Sequence, residues 1–521
     1  MYWCKIARTA KEFEAIAKLN YETFVEEIPQ HEHHPSGKRT DEFHAENTYL
    51  IVLKNQELVG MIALRDERPF SLDRKMGPVE RGLPEEALDG KLCEIRLLSV
   101  RKDHRNGRVF FMLARALADH AYEKGYGAAV ISGTVRELKL YGQLGFKAFG
   151  KPVGSGEAIF VPMYLTKQHY EQSVAARFQS KRYTFYPGPN ELSVEMKKVF
   201  QRSPISHRSY QFEASLKRVR TMLLEMAGAS HIHLLAGSGT LANEAMIAQI
   251  TQLKSKGVIL VNGAFGERLK QQAQRWGLAY DTIEMEWGEP FDYSDVEHHL
   301  KSGMYGWILL THGETSTGML NDVAPIKKLC NELGIKVCMD CVSSFGAVRF
   351  QLKNIYLATG VSGKAIGSMS GMAMVFSNHT IEESQTIPTY LDLGCYSNGQ
   401  IPFTYSSQML ASLEIALGAY KQNERYDLLN TRYQTLLMAE TNKELEFLTG
   451  QGYPMIVTLK VPSKTEYLVK DARLSGFDLH AQSEYLKQRK WAQLSLIQPD
   501  FEEAFEKFLL WLHHYKAYEK Q

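Results

Sequence analysis

The sequence predicts an α/β protein built in two parts: an N-terminal α+β unit, then a large α/β domain with a mainly parallel sheet, completed by a small α+β C-terminal domain. Three observations carry this prediction. Residues 1–166 alternate short strands and helices and end in the strand-like FVPMYLT. From Tyr183 onward, the apolar runs HIHLLAG, GVILVNG, GWILLTHG and IKVCMDC are separated by helical stretches, the pattern of parallel strands joined by crossover helices. Between them, KQHYEQSVAARFQSKR has no apolar core of its own and reads as a linker. The predicted organisation is therefore 1–166, a linker at 167–182, a large domain at 183–417 and a small domain at 418–521.

Composition bounds what this fold does. At roughly 100–200 residues per domain, 521 residues predict about three or four domains. Lys and Arg (61) nearly balance Asp and Glu (59), so no basic footprint for nucleic acid exists. No uninterrupted apolar run is long enough to span a bilayer. The opening MYWCKIARTAKEF lacks the apolar core of a secretion signal. Six cysteines in a chain this long do not make a disulfide scaffold, which predicts a reduced, cytoplasmic enzyme. Cys338 and Cys341 form a CxxC without a second pair or a nearby His, so they read as small apolar residues of a buried strand rather than a metal or redox site.

In the first unit, CEIRLLSV reads as a strand running through RKDHRNGRV into a helix. Val109, Met112, Leu113, Ala116, Leu117, His120 and Ala121 form one apolar stripe, and Gly125 stops the helix. A second strand, AAVISGTV, leads to a helix carrying LYGQLGF. Arg105, Asn106 and Gly107 stand at the first helix's N-terminus, where free N–H groups and the helix dipole suit a pyrophosphate; a plain basic surface turn explains them equally. His31, His33 and His34 with Glu32 lie in a polar loop and predict no metal. The order strand, RNG helix, strand, LYxxLGF resembles the GNAT acetyltransferase superfamily. YETFVEE, Glu94 on the central strand and the terminal PMYLT are similar to its autoinducer-synthase and N-acyl-amino-acid-synthase branch, which makes amides from an amine and an acyl thioester on coenzyme A or acyl carrier protein. Two departures stand out: the phosphate turn is one residue shorter than R-x-x-G-x-G/A, and Arg96 replaces the Ser of E-x-S-R. N-acylation needs a base for the ammonium and a donor for the leaving thiolate. Glu94 is the candidate base, or an ion-pair partner of a nearby Arg. Tyr141 is the candidate proton donor, or a packing residue.

The second unit offers a different chemistry in chain order. Gly237, Ser238, Gly239 and Thr240 follow a strand and open a helix, forming a phosphate nest. Phe265 in VNGAFGER sits where an aromatic ring can stack on a cofactor. Thr315 in HGETSTG can bond a phenolic oxygen, while His312 reads as a strand-end residue. Asp340 lies inside an apolar strand, where a carboxylate calls for a cationic partner such as a protonated pyridine nitrogen. Lys364 stands among small residues in VSGKAIG, and burial makes a lysine nucleophilic. Together with YPGP and SHRS, these motifs resemble fold-type I, class V aminotransferases that use pyridoxal 5′-phosphate, in particular the alanine–glyoxylate, serine–pyruvate and 2-aminoethylphosphonate–pyruvate group. The resemblance gives Lys364 the Schiff-base role, pairs Asp340 with the ring nitrogen and stacks Phe265. It places Ser238, Gly239 and Thr240 on the phosphate with Ser362 near it. It also implies a homodimer in which IPFTYSSQ reaches the partner's phosphate, nominating Thr404 and Tyr405. SHRS contributes His207 and Arg208 as substrate candidates. Gln493 in WAQLSLIQ stands where the family keeps a carboxylate-binding Arg.

These readings combine into a bifunctional enzyme: transamination between an amino donor and a keto or aldehyde acceptor makes a primary amine or amino acid, and an acyl thioester then acylates it. Two alternatives stay open. One is a class V lyase, desulfurase or epimerase, with Cys395 as the only tempting cysteine. The other is an aminotransferase whose GNAT unit senses acyl-CoA without catalysis.

Overall fold

A computed structural model describes all residues except 29–30, 155–158, 178–180, 398–401, 449–451, 461–465 and 521. Its contacts divide the chain into two compact units. The first comprises Met1–Tyr183, Glu466–Asp478 and Glu506–Gln521, and the second Thr184–Thr465 and Leu479–Phe505.

The first unit is built on strands β1 (Tyr2–Ile6), β2 (Thr48–Lys54), β3 (Glu57–Arg65), β4 (Lys91–Val100), β5 (Tyr126–Thr134), β6 (Lys147–Ala148) and β7 (Phe160–Thr166), ordered β1-β2-β3-β4-β5-β7-β6. Every pairing is antiparallel except β4 with β5, which run parallel from Lys91 to Glu94. Beyond Glu94 no β4–β5 pairing continues, although β4 runs on to Val100 and β5 to Thr134. The sheet thus opens along its middle. Leu97, at φ +52°, marks a bulge where the β3–β4 register skips, and it bends β4 away from β5. Helix α1 (Ala10–Tyr21) is closed by the Thr9–Glu12 capping box. Helices α2 (Ser71–Met76), α3 (Arg108–Lys124) and α4 (Leu138–Gln143) follow. The predicted stripe of α3 is inward-facing: Val109, Leu113 and Ala116 pack with Cys4, Leu50, Val52 and Ile62.

The stretch read as a linker at 167–182 carries two short helices, Lys167–Gln172 and Val174–Arg177. Residues 466–478 and 506–521, assigned from sequence to a C-terminal domain, instead join the first unit, and the contacts explain why. Asp471, fully buried, accepts both Arg8 guanidinium hydrogens at 2.7 and 2.8 Å. Buried Lys5 bridges Glu12 and Glu519, both at 2.7 Å. Trp3, 1 % exposed, meets Tyr515 and Tyr518 edge-on.

The second unit centres on β8 (His231–Ala236), β9 (Gly257–Val261), β10 (Tyr280–Glu284), β11 (Trp307–Thr311), β12 (Lys336–Asp340), β13 (Leu357–Val361) and β14 (Met372–Ser377). Their order is β10-β9-β11-β12-β13-β14-β8. The five strands from β10 to β13 are parallel; β14 is antiparallel to both neighbours. This is the mainly parallel sheet that the sequence predicts. Alternate residues serve the two faces: Val258, Leu260, Ile308, Leu310, Val337 and Met339 enter one core, while Ile259, Val261, Trp307, Leu309 and Cys338 enter the other. Cys338 and Cys341 are free, buried and on opposite faces, as small apolar residues would be. A two-stranded antiparallel sheet, β15 (Ile456–Lys460) with β16 (Trp491–Ser495), accompanies the large one.

Candidate functional sites

In the second unit, the parallel strands deliver the predicted residues to their C-terminal ends, where ligands of open α/β sheets bind. Asp340 closes β12 and is 5 % exposed. Its carboxylate accepts the Asn243 amide at 2.7 Å and the Val342 N–H at 2.9 Å, with Thr359 Oγ1 at 3.4 Å. Thr359 in turn donates to Asn243 at 2.8 Å. Burial raises the Asp340 pKa above the ordinary carboxylate range, with the Val342 N–H, the Asn243 amide and the charges of Lys364 and Arg268 opposing it. Burial also brings Lys364 down to about 8, against the pull of Asp340. Asp340, buried, and Lys364, half-buried, therefore lie within electrostatic reach of each other.

Neighbouring loops hold that pair in place. Ser362 donates to the Met369 carbonyl and accepts the Met372 N–H, so its hydroxyl braces the lysine loop. Asn190, in the YPGPN segment read only as a turn, donates to the Lys364 carbonyl at 2.8 Å. Gly188 lies at φ +142°, and a Cβ there would stand 2.9 Å from the Gly363 carbonyl oxygen, so this close approach requires glycine. Ser238 caps the helix Gly239–Ile250 and, like Thr240, is exposed, which leaves the nest open. Gly239 is buried; a Cβ there would come within 2.5 Å of Val342.

Phe265 lies in the first turn of the helix Ala264–Arg275, and the Arg268 guanidinium lies 4.9 Å from its ring. That helix is fixed by Glu314, fully buried, which accepts N–H groups from Gly266 at 3.0 Å and Phe265 at 3.3 Å and the Ser316 hydroxyl at 2.5 Å. Burial raises the Glu314 pKa, and these donors oppose the rise. Arg268, Glu314, Asn243 and Asn190 were not singled out from sequence. His480 also lies within electrostatic reach of Lys364; burial, chiefly, lowers its pKa to about 4.

Several sequence candidates occupy other roles. Gln493, fully buried on β16, gives its amide to the carbonyls of Thr315 (2.7 Å) and Ser316 (3.1 Å) and to Thr458 Oγ1 (2.7 Å). It clamps the Thr315 loop and has no N–H left for a substrate carboxylate. Tyr405 is buried with its hydroxyl donated to the Leu234 carbonyl, so it serves its own core; Thr404 beside it is exposed. His207 and Arg208 precede the helix Tyr210–Ala227. Among the described residues, no contact joins either to the Lys364 cluster. His312 bonds Ser344 at 3.0 Å and packs edge-on against Phe350, a structural histidine as read. The Cys395 pKa is raised by burial and by Asp392, which argues against a reactive thiolate.

The first unit carries a cavity of about 800 Å³ where β4 and β5 separate. One end is apolar, with Phe110, Ala114, Leu117, Leu144 and Leu165; the other is charged, with Arg39, Asp41, Lys75, Glu94 and Arg96. Glu94 is 1 % exposed and caps α2: its two oxygens accept the Ser71 N–H at 2.8 Å, the Ser71 hydroxyl at 2.6 Å and the Leu72 N–H at 3.0 Å. Arg96 approaches it at 3.6 Å but is paired at 2.9 and 3.0 Å with Asp41. The cap, absent from both sequence readings of Glu94, dominates. Tyr141 lines the cavity, and burial raises its pKa. The Arg105, Asn106 and Gly107 turn lies outside the cavity lining. Arg105 binds Glu27 through both nitrogens (2.5 and 2.6 Å), Asn106 accepts the Arg108 N–H, and Gly107 at φ +83° precedes α3.

Among the described residues, no group of His, Cys, Asp and Glu is placed to hold a metal ion, and no helix is long and apolar enough to cross a membrane.

Comparison with known proteins matches two stretches of the chain to two families. An acetyltransferase (GNAT) domain model matches residues 19–115, and an aminotransferase class-V model matches residues 193–386. A 2-aminoethylphosphonate–pyruvate transaminase of Pseudomonas putida is 30 % identical over 291 residues, covering 52 % of this chain and 79 % of the relative. Its counterpart in Pseudomonas aeruginosa is 30 % identical over 283 residues, covering 50 % and 76 %. Ureidoglycine–glyoxylate aminotransferase from Bacillus subtilis superposes with a TM-score of 0.59 at 20 % identity, covering 64 % of this chain and 92 % of its own. Alanine–glyoxylate aminotransferase from Nostoc sp. gives 0.59 at 21 %, covering 65 % and 97 %. At such identities the two structures establish the fold, which is fold-type I. The chain belongs to the class V aminotransferases and carries a GNAT acetyltransferase domain ahead of its aminotransferase domain.

Proposed function

We propose that the second unit transfers an amino group between a small amino donor and a keto or aldehyde acceptor using pyridoxal phosphate, and that the first unit N-acylates an amine from a thioester of coenzyme A or acyl carrier protein. The observation that carries this reading is Asp340, buried at the end of a parallel strand within electrostatic reach of Lys364. Asp340 has amide and hydroxyl donors but no hydrogen-bonded cation among the described residues, so a protonated pyridine nitrogen fits its need. The open nest at Ser238, Gly239 and Thr240 suits the phosphate, and Phe265 offers a ring to stack on. When bound, the cofactor supplies an electron sink for the carbon that loses its proton. Lys364, with its pKa near 8, is available as a neutral amine to anchor the cofactor and to take up the proton that the amine-bearing carbon of the substrate loses.

Gln493 leaves the usual carboxylate site without a cation. Arg268, beside Phe265 and hydrogen-bonded to no carboxylate among the described residues, takes over binding of the substrate's anionic group in this reading. The relatives named for 2-aminoethylphosphonate and pyruvate make an aminoalkylphosphonate or an amino acid the class of substrate to try first. Thr404, exposed, is retained as a contact to the phosphate site of a second copy in a homodimer. In the first unit, attack of the neutral amine nitrogen on the thioester carbon forms the C–N bond and breaks C–S; the proton that the nitrogen loses passes to water, and Tyr141 gives a proton to the leaving thiolate and regains one from solvent.

Purified protein reconstituted with pyridoxal phosphate is expected to show the cofactor's visible absorbance band, lost in Lys364→Ala. Amino donors would shift the band, and pyruvate or glyoxylate would restore it. Release of pyruvate or sulfide from a single amino acid without an acceptor would replace transamination by lyase or desulfurase chemistry. Acyl-CoA binding without thiol release with any amine would leave the first unit a sensor.

A further inference from the structure

The charged end of the first unit's cavity has a definite electrostatic balance. Three carboxylates line it, and each is already matched. Asp41 holds both nitrogens of Arg96, Glu42 accepts Arg74 at 2.8 Å, and Glu94 accepts the three donors at the start of α2. Two cations lining the same end, Arg39 and Lys75, have no carboxylate within ion-pair distance among the described residues. Lys75 lies 4.3 Å from the Phe160 ring centre, and Glu94 and Glu42 act on it only at a longer range than an ion pair; a cation on an aromatic face stays available to an anion. Arg39 and Lys75 line the same cavity, together with His31.

The backbone under each cation is fixed. The Arg39 N–H donates to the Ala17 carbonyl and its own carbonyl accepts the Asn20 amide, both at 2.9 Å, which ties it to α1. Lys75 rides on α2, whose first turn is pinned by Glu94. A cavity that matches its own carboxylates and leaves two anchored cations over presents a preformed site for an anion.

We infer that Arg39 and Lys75 bind the anionic group of the acyl acceptor, so that the acceptor is an amine bearing a carboxylate or a phosphonate. This rests on the acyltransferase reading of the first unit and narrows it: at the cavity's open side, where Lys75 is exposed and Arg39 half-buried, a simple alkylamine leaves both cations to water, and an acidic amine pairs with them. The inference also joins the two units chemically, because an aminotransferase acting on acidic substrates releases amines of this class.

The test uses the full-length, cofactor-loaded protein. Calorimetric titration with N-acetyl-2-aminoethylphosphonate, N-acetyl-β-alanine and uncharged N-propylacetamide reads the site without turnover. Thiol release from acetyl-CoA with 2-aminoethylphosphonate, β-alanine and propylamine reads it with turnover. Arg39→Gln and Lys75→Met are each expected to weaken the acidic ligands, or raise the KM of the acidic amines, about tenfold or more, the loss of one charge-assisted contact. The KM for acetyl-CoA stays unchanged and Lys75→Arg retains binding. The phosphonate and carboxylate arms decide which anion is preferred. Equal binding of N-propylacetamide and the acids overturns the inference, as do unchanged affinities in both variants or an effect confined to the KM of acetyl-CoA. If thiol release is absent with every amine while the acidic ligands bind through Arg39 and Lys75, the site stands and the acyltransferase reading falls. If propylamine is acylated as well as the acidic amines, the reading stands and the inference falls. Thermal melting of each variant separates loss of the site from loss of the fold.

Discussion

Replacing Glu94 separates a structural carboxylate from a catalytic one. In Glu94→Ala, two amides and one hydroxyl at the start of α2 lose their acceptor inside the protein, where the residue is 1 % exposed. Hydrogen bonds to a charged group contribute about 1.5–3 kcal/mol each, or about 4.5–9 kcal/mol for three; because such losses are not additive, about 4 kcal/mol is taken as a lower bound. At roughly 2–4 °C per kcal/mol for a unit of 150–250 residues, the melting transition of the first unit falls by at least about 8–16 °C. Glu94→Gln keeps one oxygen but turns an NH2 group toward donors, so it sits between alanine and wild type, at about 2 kcal/mol. The assay is differential scanning fluorimetry combined with amide exchange across 71–76. A base predicts the opposite pattern: Glu94→Gln abolishes acyl transfer with melting and exchange untouched. That second pattern would refute the capping argument.

Three further outcomes follow from the same geometry. With Lys364 near 8, the neutral fraction of its amine rises from about one-tenth at pH 7 to about nine-tenths at pH 9, whereas an ordinary lysine near 10.4 stays almost wholly charged at pH 7. Cofactor capture by the apoprotein, followed by absorbance, therefore accelerates with rising pH and levels off above about 8; a rate still climbing steeply at pH 10 contradicts it. Gln493→Arg does not restore a family-like carboxylate site, because the longer side chain enters a fully buried space facing the Thr315 and Ser316 carbonyls. About 1–3 kcal/mol of over-packing loss in urea melts, with no fall in substrate KM, is expected. A chain ended after Arg182 lacks the Asp471 and Glu519 partners of Arg8 and Lys5 and uncovers Trp3; it fails to melt cooperatively, and a stable fragment would disprove the dependence.

Legibility in the sequence follows the range of the interaction. The strands of the second unit were readable because residues in sequence order alternate between two buried faces, and Asp340 because a carboxylate has no ordinary reason to sit in such a run. The small residues around Lys364 announced a crowded loop for a similar reason. Contacts set by tertiary neighbours were not readable. Ser71 lies 23 positions before Glu94, so the cap has no local signature. Tyr405 looks like a surface tyrosine in IPFTYSSQ, and only the position of the Leu234 carbonyl makes it a core residue. The helices at 466–475 and 501–519 have apolar faces, but periodicity does not say which core receives them; that choice comes from partners such as Arg8 and Trp3, more than 450 residues away along the chain. The Glu of HGETSTG, Glu314, sits inside a motif, but the N–H groups it accepts belong to Phe265 and Gly266, 49 and 48 positions earlier.

That glutamate and Glu94 show one solution used twice. Each is a fully or almost fully buried carboxyl group that accepts N–H donors from the first turn of a helix and one serine hydroxyl, an arrangement the helix dipole favours. The consequence concerns the cations nearby. A buried carboxylate satisfied by a guanidinium or an ammonium removes that cation from use. One satisfied by a helix N-terminus leaves the cation free. The helix pinned by Glu314 carries Phe265 and Arg268, and the helix pinned by Glu94 carries Lys75. In both units the carboxylate therefore fixes the element that presents a positive charge without neutralising it. If Arg268 or Lys75 were instead the counter-ion of its neighbouring glutamate, the site would be electrically closed and would gain little from an acidic substrate. The same reasoning sets the order of effects on mutation: loss of the glutamate disturbs fold and binding together, and loss of the cation disturbs binding alone.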